Sequence, residues 1–164
     1  MIHEVTGDIL LSRAAAIVHG VAPNDHMASG LAHHLREDWP AMYKDFRHFC
    51  HTTHPQPGAL WAWVGADGRR IIALFTQQPA ASESQHPGKA RVQDVNHCLR
   101  ALRHHLEEEK IGSVALPKLA TGVGGLAWSE MKPLIERHLG ALQIPVYLYT
   151  TFHAGQQAKE PAAV

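Results

Sequence analysis

The stretch 116–128, LPKLATGVGGLAW, limits what this chain can fold into more than any other segment. Ser113, Val114, Ala115 and Leu116 read as a short buried strand, and Trp128-Ser129-Glu130-Met131 opens a segment with helical spacing. The glycines therefore lie at a strand-to-helix junction. Gly122, Gly124 and Gly125 tolerate backbone angles closed to other residues, and without Cβ atoms they let main-chain N–H groups converge on an anion at a helix N-terminus. A diphosphate is the guest that suits such a loop. A plain tight turn is the alternative reading of the same residues.

The rest of the composition narrows the classes of function. At 164 residues the chain is long enough for one domain with a core that needs no disulfide or structural metal. Fifteen basic residues balance fifteen acidic ones, so no overall positive field draws in nucleic acid or an anionic membrane; any nucleic-acid contact has to be local. Cys50 and Cys98 form no CxxC pattern and read as reduced packing thiols. With no apolar run near the roughly 20 residues of a membrane span, and an N-terminus MIHEVTGD unlike a signal peptide, a cytoplasmic location without membrane association is expected. Fourteen histidines raise the question of a metal. The best-spaced candidate is His51 with His54 and the adjacent Cys50, but solvated helix surfaces account for the same residues, and neither a metal nor a cofactor is expected.

Along the chain, Ile2 to Thr6 reads as a strand ended by Gly7-Asp8, and Ala14 to Val21 as a fully buried one. Met27 to Asp38 and Ala41 to Cys50 carry helical spacing on either side of a break at Trp39-Pro40. Ala59 to Val64 and Arg70 to Thr76 read as a hairpin, and residues 79–88 as a polar loop that is either a lid or a surface connection. Ala90 to Lys110 and Ser129 to Leu139 read as helices, Ile144 to Thr150 as the last strand, and residues 154–164 as a disordered tail. This alternation predicts a three-layer α/β/α sandwich with a mixed central sheet, one domain over residues 1–153. Ligands in such folds collect at the carboxyl ends of strands, which brings together Asp8, residues 22–30, Gln77 with Gln78, and the glycine loop.

In order and spacing, Gly7-Asp8-Ile9-Leu10, Ala16-Ile17-Val18-His19 with Met27-Ala28-Ser29-Gly30, and Leu116-Pro117 with Gly122-Val123-Gly124-Gly125-Leu126 and Trp128 resemble the macrodomain family across residues 2–150. The resemblance is to the branch holding the terminal ADP-ribose protein glycohydrolase, the DNA ADP-ribosyl glycohydrolase antitoxins and the yeast ADP-ribose 1''-phosphate phosphatase. It implies an ADP-ribose pocket and, as partner, ADP-ribose or an ADP-ribosylated protein or nucleic acid; a monomer is expected. Asp8 would accept from the adenine amine with the Ile9 backbone beside it, unless it is an ordinary turn or cap aspartate. Ser29 and Gly30 would offer backbone N–H groups to the diphosphate and distal ribose, and Thr121 to Gly125 would close over the phosphates. Tyr149 or Phe152 would pack on the adenine, or else belong to the core.

The departures from the family bear on chemistry. Lysine-using members place a lysine directly after the threonine that corresponds to Thr76; this chain has Gln77, and an amide cannot form the covalent intermediate an amine can. Where other members use an aspartate in the glycine loop, this chain has Gly124, and Lys89 reaches the anomeric carbon only if the 79–88 loop folds over. Ala22 stands where many members hold the distal ribose with asparagine, with Asn24 two residues on. The remaining catalytic candidates are His19, which aligns with the phosphatase relatives' histidine, and Asp25. Three readings stay open: a hydrolase acting on ADP-ribosyl linkages or on ADP-ribose 1''-phosphate, a non-catalytic ADP-ribose reader, and a pocket that serves another nucleotide or a protein partner on the same fold.

Overall fold

The computed structural model describes residues 1–82 and 84–161. In chain order its elements are β1 (Ile2–Gly7), β2 (Ala16–Val21), α1 (Gly30–Asp38), α2 (Pro40–Thr53), β3 (Leu60–Val64), β4 (Arg70–Phe75), α3 (Val92–Glu108), β5 (Val114–Pro117), α4 (Trp128–Leu139) and β6 (Val146–Phe152). The six strands form one sheet in the order β1-β6-β5-β2-β4-β3. All neighbours are parallel except the β3–β4 hairpin at one edge.

The central strands carry apolar side chains on both faces because both faces are covered. Ala16, Val18, Ile72, Leu74, Val114 and Leu116 pack with α3 and α4, through Leu99, Leu102, Met131 and Ile135. Ile17, Val21, Ile71, Ala73 and Phe75 pack on the other face with Leu35 of α1 and Met42 and Phe46 of α2. The expected three-layer sandwich with a mixed sheet is the architecture found. The break at Trp39-Pro40 has a simple cause: the Trp39 N–H closes α1 onto the Leu35 carbonyl at 2.8 Å, and Pro40 starts α2 at a position where its missing N–H costs nothing.

Cys50 faces the α2 core and Cys98 the α3 core, both as free thiols on opposite sides of the sheet. His51 and His54 are exposed while Cys50 is buried, and among the described residues no three His, Cys, Asp or Glu side chains converge as metal ligands. No helix among the described residues is long and apolar enough to cross a membrane.

The expected disordered tail is corrected over residues 154–161; 162–164 lie outside the described residues. Asp8 N–H donates to the Gln156 carbonyl at 2.7 Å, Gly155 N–H donates to Asp8 Oδ2 at 2.9 Å, and the Tyr149 hydroxyl donates to Glu160 at 2.8 Å. The composition of this segment is polar and small, so nothing in its periodicity signals order; the bonds that hold it are made to residues far away in sequence. The core assignment is checked by Leu102→Ala, which removes a fully buried side chain and should cost about 2–5 kcal/mol in urea denaturation; an unchanged midpoint would take α3 out of the core.

Candidate functional site

Five parallel strands send their carboxyl ends to one edge of the sheet, and the loops leaving that edge enclose two adjoining cavities. The larger, about 740 Å³, is lined by residues of the 22–32 segment, by Thr76 and Gln77, by the 80–87 loop, and by Pro117 to Gly124. The smaller, about 330 Å³, is apolar and lined by Gly7, Ile9, Leu10, Leu31, Tyr149 and Phe152 among others. Gly30, Leu31 and Pro117 border both, so the two cavities lie side by side along the same edge.

The α1 N-terminus stands where the cavities meet. Ser29 caps α1 in an extended conformation without a side-chain bond, and Gly30 adopts φ +63°, in the left-handed region that favours glycine. The first N–H groups of α1 have no intrahelical acceptor and meet the cleft with the positive end of the helix dipole. Opposite lies the glycine loop. Ala120 takes φ +62°, its carbonyl accepts the Leu126 N–H at 2.9 Å, and the Gly125 N–H turns back onto the Gly122 carbonyl at 3.0 Å. A Cβ at Gly124 would stand 2.7 Å from the Ala120 carbonyl oxygen, so this glycine is fixed by the turn itself. Gly122 is different: a Cβ there would meet nothing within 4 Å and the residue lines the larger cavity. Val123 is exposed at the loop tip, and the Thr121 hydroxyl donates to the Lys118 carbonyl at 2.9 Å.

The 79–88 loop forms a wall of the larger cavity through Ala80, Ser84, Gln85, His86 and Pro87; Glu83 lies outside the described residues. Its base is clamped. The Gln78 N–H donates to Lys89 O at 3.0 Å, the Gly88 N–H to Gln78 O at 2.8 Å, and Gln77 Nε2 to Gly88 O at 3.1 Å. Ala90 N–H donates to Gly124 O at 2.9 Å, tying this wall to the glycine loop. Lys89 does not line the cavity. Its side chain lies across Gly125, with Nζ 3.2 Å from where a Cβ would be.

Two buried polar groups of the larger cavity have no protein partner: both ring nitrogens of His19 and the Thr76 hydroxyl. Burial holds the His19 imidazole down to about pKa 4, so it is neutral at pH 7. Both donors and acceptors are left available to a bound molecule or water. Asp25 lines the same cavity and also holds its own loop. Its Oδ2 accepts the Ala22 N–H at 3.0 Å and its Oδ1 the Met27 N–H at 2.8 Å, which shapes the loop before α1. Asn24 is exposed at the cavity with φ +59°.

At the apolar end, Asp8 is nearly buried and both its oxygens accept main-chain N–H groups, from Leu10 at 3.0 Å and from Gly155. It caps the short 3-10 turn Ile9–Leu11, the cap reading of the sequence, while Ile9 and Leu10 line the cavity. Tyr149 and Phe152 are three residues apart and would point to opposite faces of a regular strand. The register shift opposite Val5 and Thr6 lets both line the same cavity. Tyr149 is buried and Phe152 exposed at the mouth. Sequence reasoning missed Pro117 and Lys118 as cavity residues, though both directly end a strand in the motif, and it missed His34, which only the three-dimensional path of α1 brings to the apolar end.

The His19 site generates a pH prediction. A histidine whose folded pKa lies below its unfolded value of 6.5 stabilises the fold fully above pH 6.5, and this contribution is lost as pH falls toward 4. The shift corresponds to about 3 kcal/mol. Stability measured by urea denaturation should fall less between pH 7 and pH 4 in His19→Gln than in the parent chain; equal slopes would contradict a buried neutral imidazole.

Comparison with known proteins gives a consistent picture. The Macro domain family model matches residues 67–135. A DNA ADP-ribosyl transferase-DNA ADP-ribosyl glycohydrolase fusion protein of Thermosipho africanus is 28% identical over 157 residues, 88% of this chain and 40% of its own length. The DNA ADP-ribosyl glycohydrolase of Thermus aquaticus is 28% identical over 150 residues, 91% of this chain and 41% of its own length. The chain thus spans about two fifths of the curated relatives it matches. Among solved structures, the macrodomain of Thermus aquaticus DarG superposes with a TM-score of 0.78 at 27% identity, covering 92% of this chain and 98% of that one.

Proposed function

We propose that this chain, which is a macrodomain, binds ADP-ribosyl groups in its cleft and hydrolyses the bond that joins them to DNA. The observation that carries the reading is the adjacency of the two cavities across Gly30, Leu31 and Pro117, with an apolar end, a helix N-terminus facing a glycine loop in the middle, and a roomier polar end. That sequence of environments fits adenine, diphosphate and distal ribose in order. The names of the 28%-identical relatives support DNA as the carrier of the group. The protein is expected to act as a cytoplasmic monomer, without cofactor.

In this reading Ile9, Tyr149 and Phe152 surround the adenine. Ser29, Gly30 and the loop Thr121 to Gly125 hold the diphosphate through main-chain N–H groups. The distal ribose lies toward His19, Thr76 and Gln77. With Gln77 in place of a lysine, cleavage proceeds by water attack at the anomeric carbon as the bond to the base breaks, and the departing base takes up a proton. The orphaned imidazole of His19, neutral at pH 7, can accept a hydrogen bond from that water or from a ribose hydroxyl. Asp25, with both oxygens engaged by its own loop, positions the α1 N-terminus.

A second reading is favoured by one specific observation: neither a lysine at Gln77 nor a carboxylate in the glycine loop is present, as befits a reader that retains the modified strand.

Binding and turnover separate the readings. ADP-ribose should bind with micromolar affinity by calorimetry, and Gly122→Glu should abolish binding, because the carboxylate enters the anion site through open space that leaves the fold unstrained. Unchanged affinity would remove the loop from the site. Incubation with ADP-ribosylated DNA should release ADP-ribose at a rate that His19→Gln lowers roughly a hundredfold or more, within the range for a general base. Binding without release would establish the reader, and Gln77→Lys would then show whether only a nucleophile was lacking.

A further inference from the structure

The segment 153–161 lies against the apolar end of the cleft and is held there by a continuous set of bonds. His153 N–H donates to Gly7 O at 3.1 Å, Asp8 N–H to Gln156 O, and Gly155 N–H to the Asp8 carboxylate. Gly155 makes the turn with φ +74°. The approach is so close that a Cβ at Gly7 would stand 2.8 Å from Gln156 O and 2.9 Å from the Ala158 nitrogen. Gly7 itself lines the apolar cavity, so the segment forms the backing of that cavity's floor.

The far end of the segment makes a second attachment. Glu160 is half-buried and accepts from the Ser12 hydroxyl, the Arg13 N–H at 2.9 Å and the Tyr149 hydroxyl at 2.8 Å. Its carboxylate therefore staples β6, one wall of the apolar cavity, to the residues directly after the Ile9–Leu11 turn, which forms the other wall. The Tyr147 hydroxyl, also buried, donates to Pro161 O at 2.6 Å. Each of these two tyrosine hydroxyls thus donates a hydrogen bond to the segment. Without Glu160, Tyr149 would keep its ring in the cavity wall but lose the bond that fixes it, and Ser12, almost fully buried, would lose an acceptor.

We propose that segment 153–161 is a working part of the base-binding end of the cleft, with Glu160 as a positioning residue that sets the Tyr149 ring and the Ile9–Leu11 turn for an adenine base. The inference rests on the ADP-ribose reading and adds to it a determinant of base affinity that touches no ligand. Glu160 acts from outside the cavity, through the two walls it joins. A purely structural role would weaken all ligands alike through loss of folded protein. A positioning role weakens only ligands that carry the base.

The test is calorimetric titration of the parent chain, Glu160→Ala and Glu160→Gln with ADP-ribose, AMP and ribose 5-phosphate. Glu160→Ala should lower the affinity for ADP-ribose and AMP by about tenfold, the scale of one hydrogen bond to a charged group, and leave ribose 5-phosphate within twofold. Glu160→Gln, which keeps one accepting oxygen for Tyr149, should recover part of the loss. Tyr149→Phe keeps the ring and removes the link; it should reproduce the loss, and adding Glu160→Ala to it should lower base affinity little further. If Glu160→Ala shows no cooperative unfolding transition, the Tyr149→Phe arm decides. Equal loss for all three ligands, or unchanged AMP affinity in both variants, would overturn the inference while the ADP-ribose reading stands. A parent chain that binds neither ADP-ribose nor AMP would overturn both.

Discussion

The site depends on β2 and β5 lying side by side and parallel while the chain leaves them on opposite faces of the sheet. After β2 it passes to α1 and α2 on one face, and after β5 to α4 on the other. Between two such strands the loops must part, and a crevice opens at their carboxyl ends. What fills the two sides of this crevice is set by local chemistry. On one side Gly30 starts a helix whose N–H groups have no partner; on the other, Gly124 and Gly125 fold a turn too tight for side chains. In the proposed reading an anion lies between them, held by main-chain N–H groups without any charged side chain having to be buried.

The same economy extends to the rest of the cleft. The larger cavity contains His19 and Thr76, buried and unpartnered, and burial keeps His19 uncharged. Unsatisfied polar atoms in a protein interior cost stability unless something occupies them, which is the usual mark of a place where a ligand or ordered water belongs. Asp8 and Asp25, both near the cleft, have both their oxygens engaged by main-chain N–H groups. They shape the loops that carry Ile9 and Ser29.

Much of the fold was legible because its signals are local or periodic. The buried strand 16–21 shows as an uncharged β-branched run, the hairpin as two apolar runs around Gly65 to Arg69, and the α1–α2 break as Trp39-Pro40. The glycine loop was legible for a similar reason, since glycine at a strand end leaves few alternatives. The remainder depended on contacts distant in sequence. Residues 154–161 lack any apolar period, and their order comes from Asp8, Ser12 and Tyr149. The clamp of the 79–88 wall comes from Gln77 and Gln78, whose amides could as well have faced solvent. The placement of Phe152 beside Tyr149 requires a strand irregularity that no pattern of residue types encodes.

The central claim is that one elongated ligand spans the apolar and the polar cavity across the junction at Gly30. Amide chemical-shift mapping of isotope-labelled protein during titration with ADP-ribose tests it most directly. The account predicts saturable shifts together at Ile9 and Phe152, at Gly30 and Leu31, and at Gly122 to Gly125, all fitting one affinity. Shifts confined to one cavity, or absent from the Gly30 and Gly122 to Gly125 amides, would contradict it.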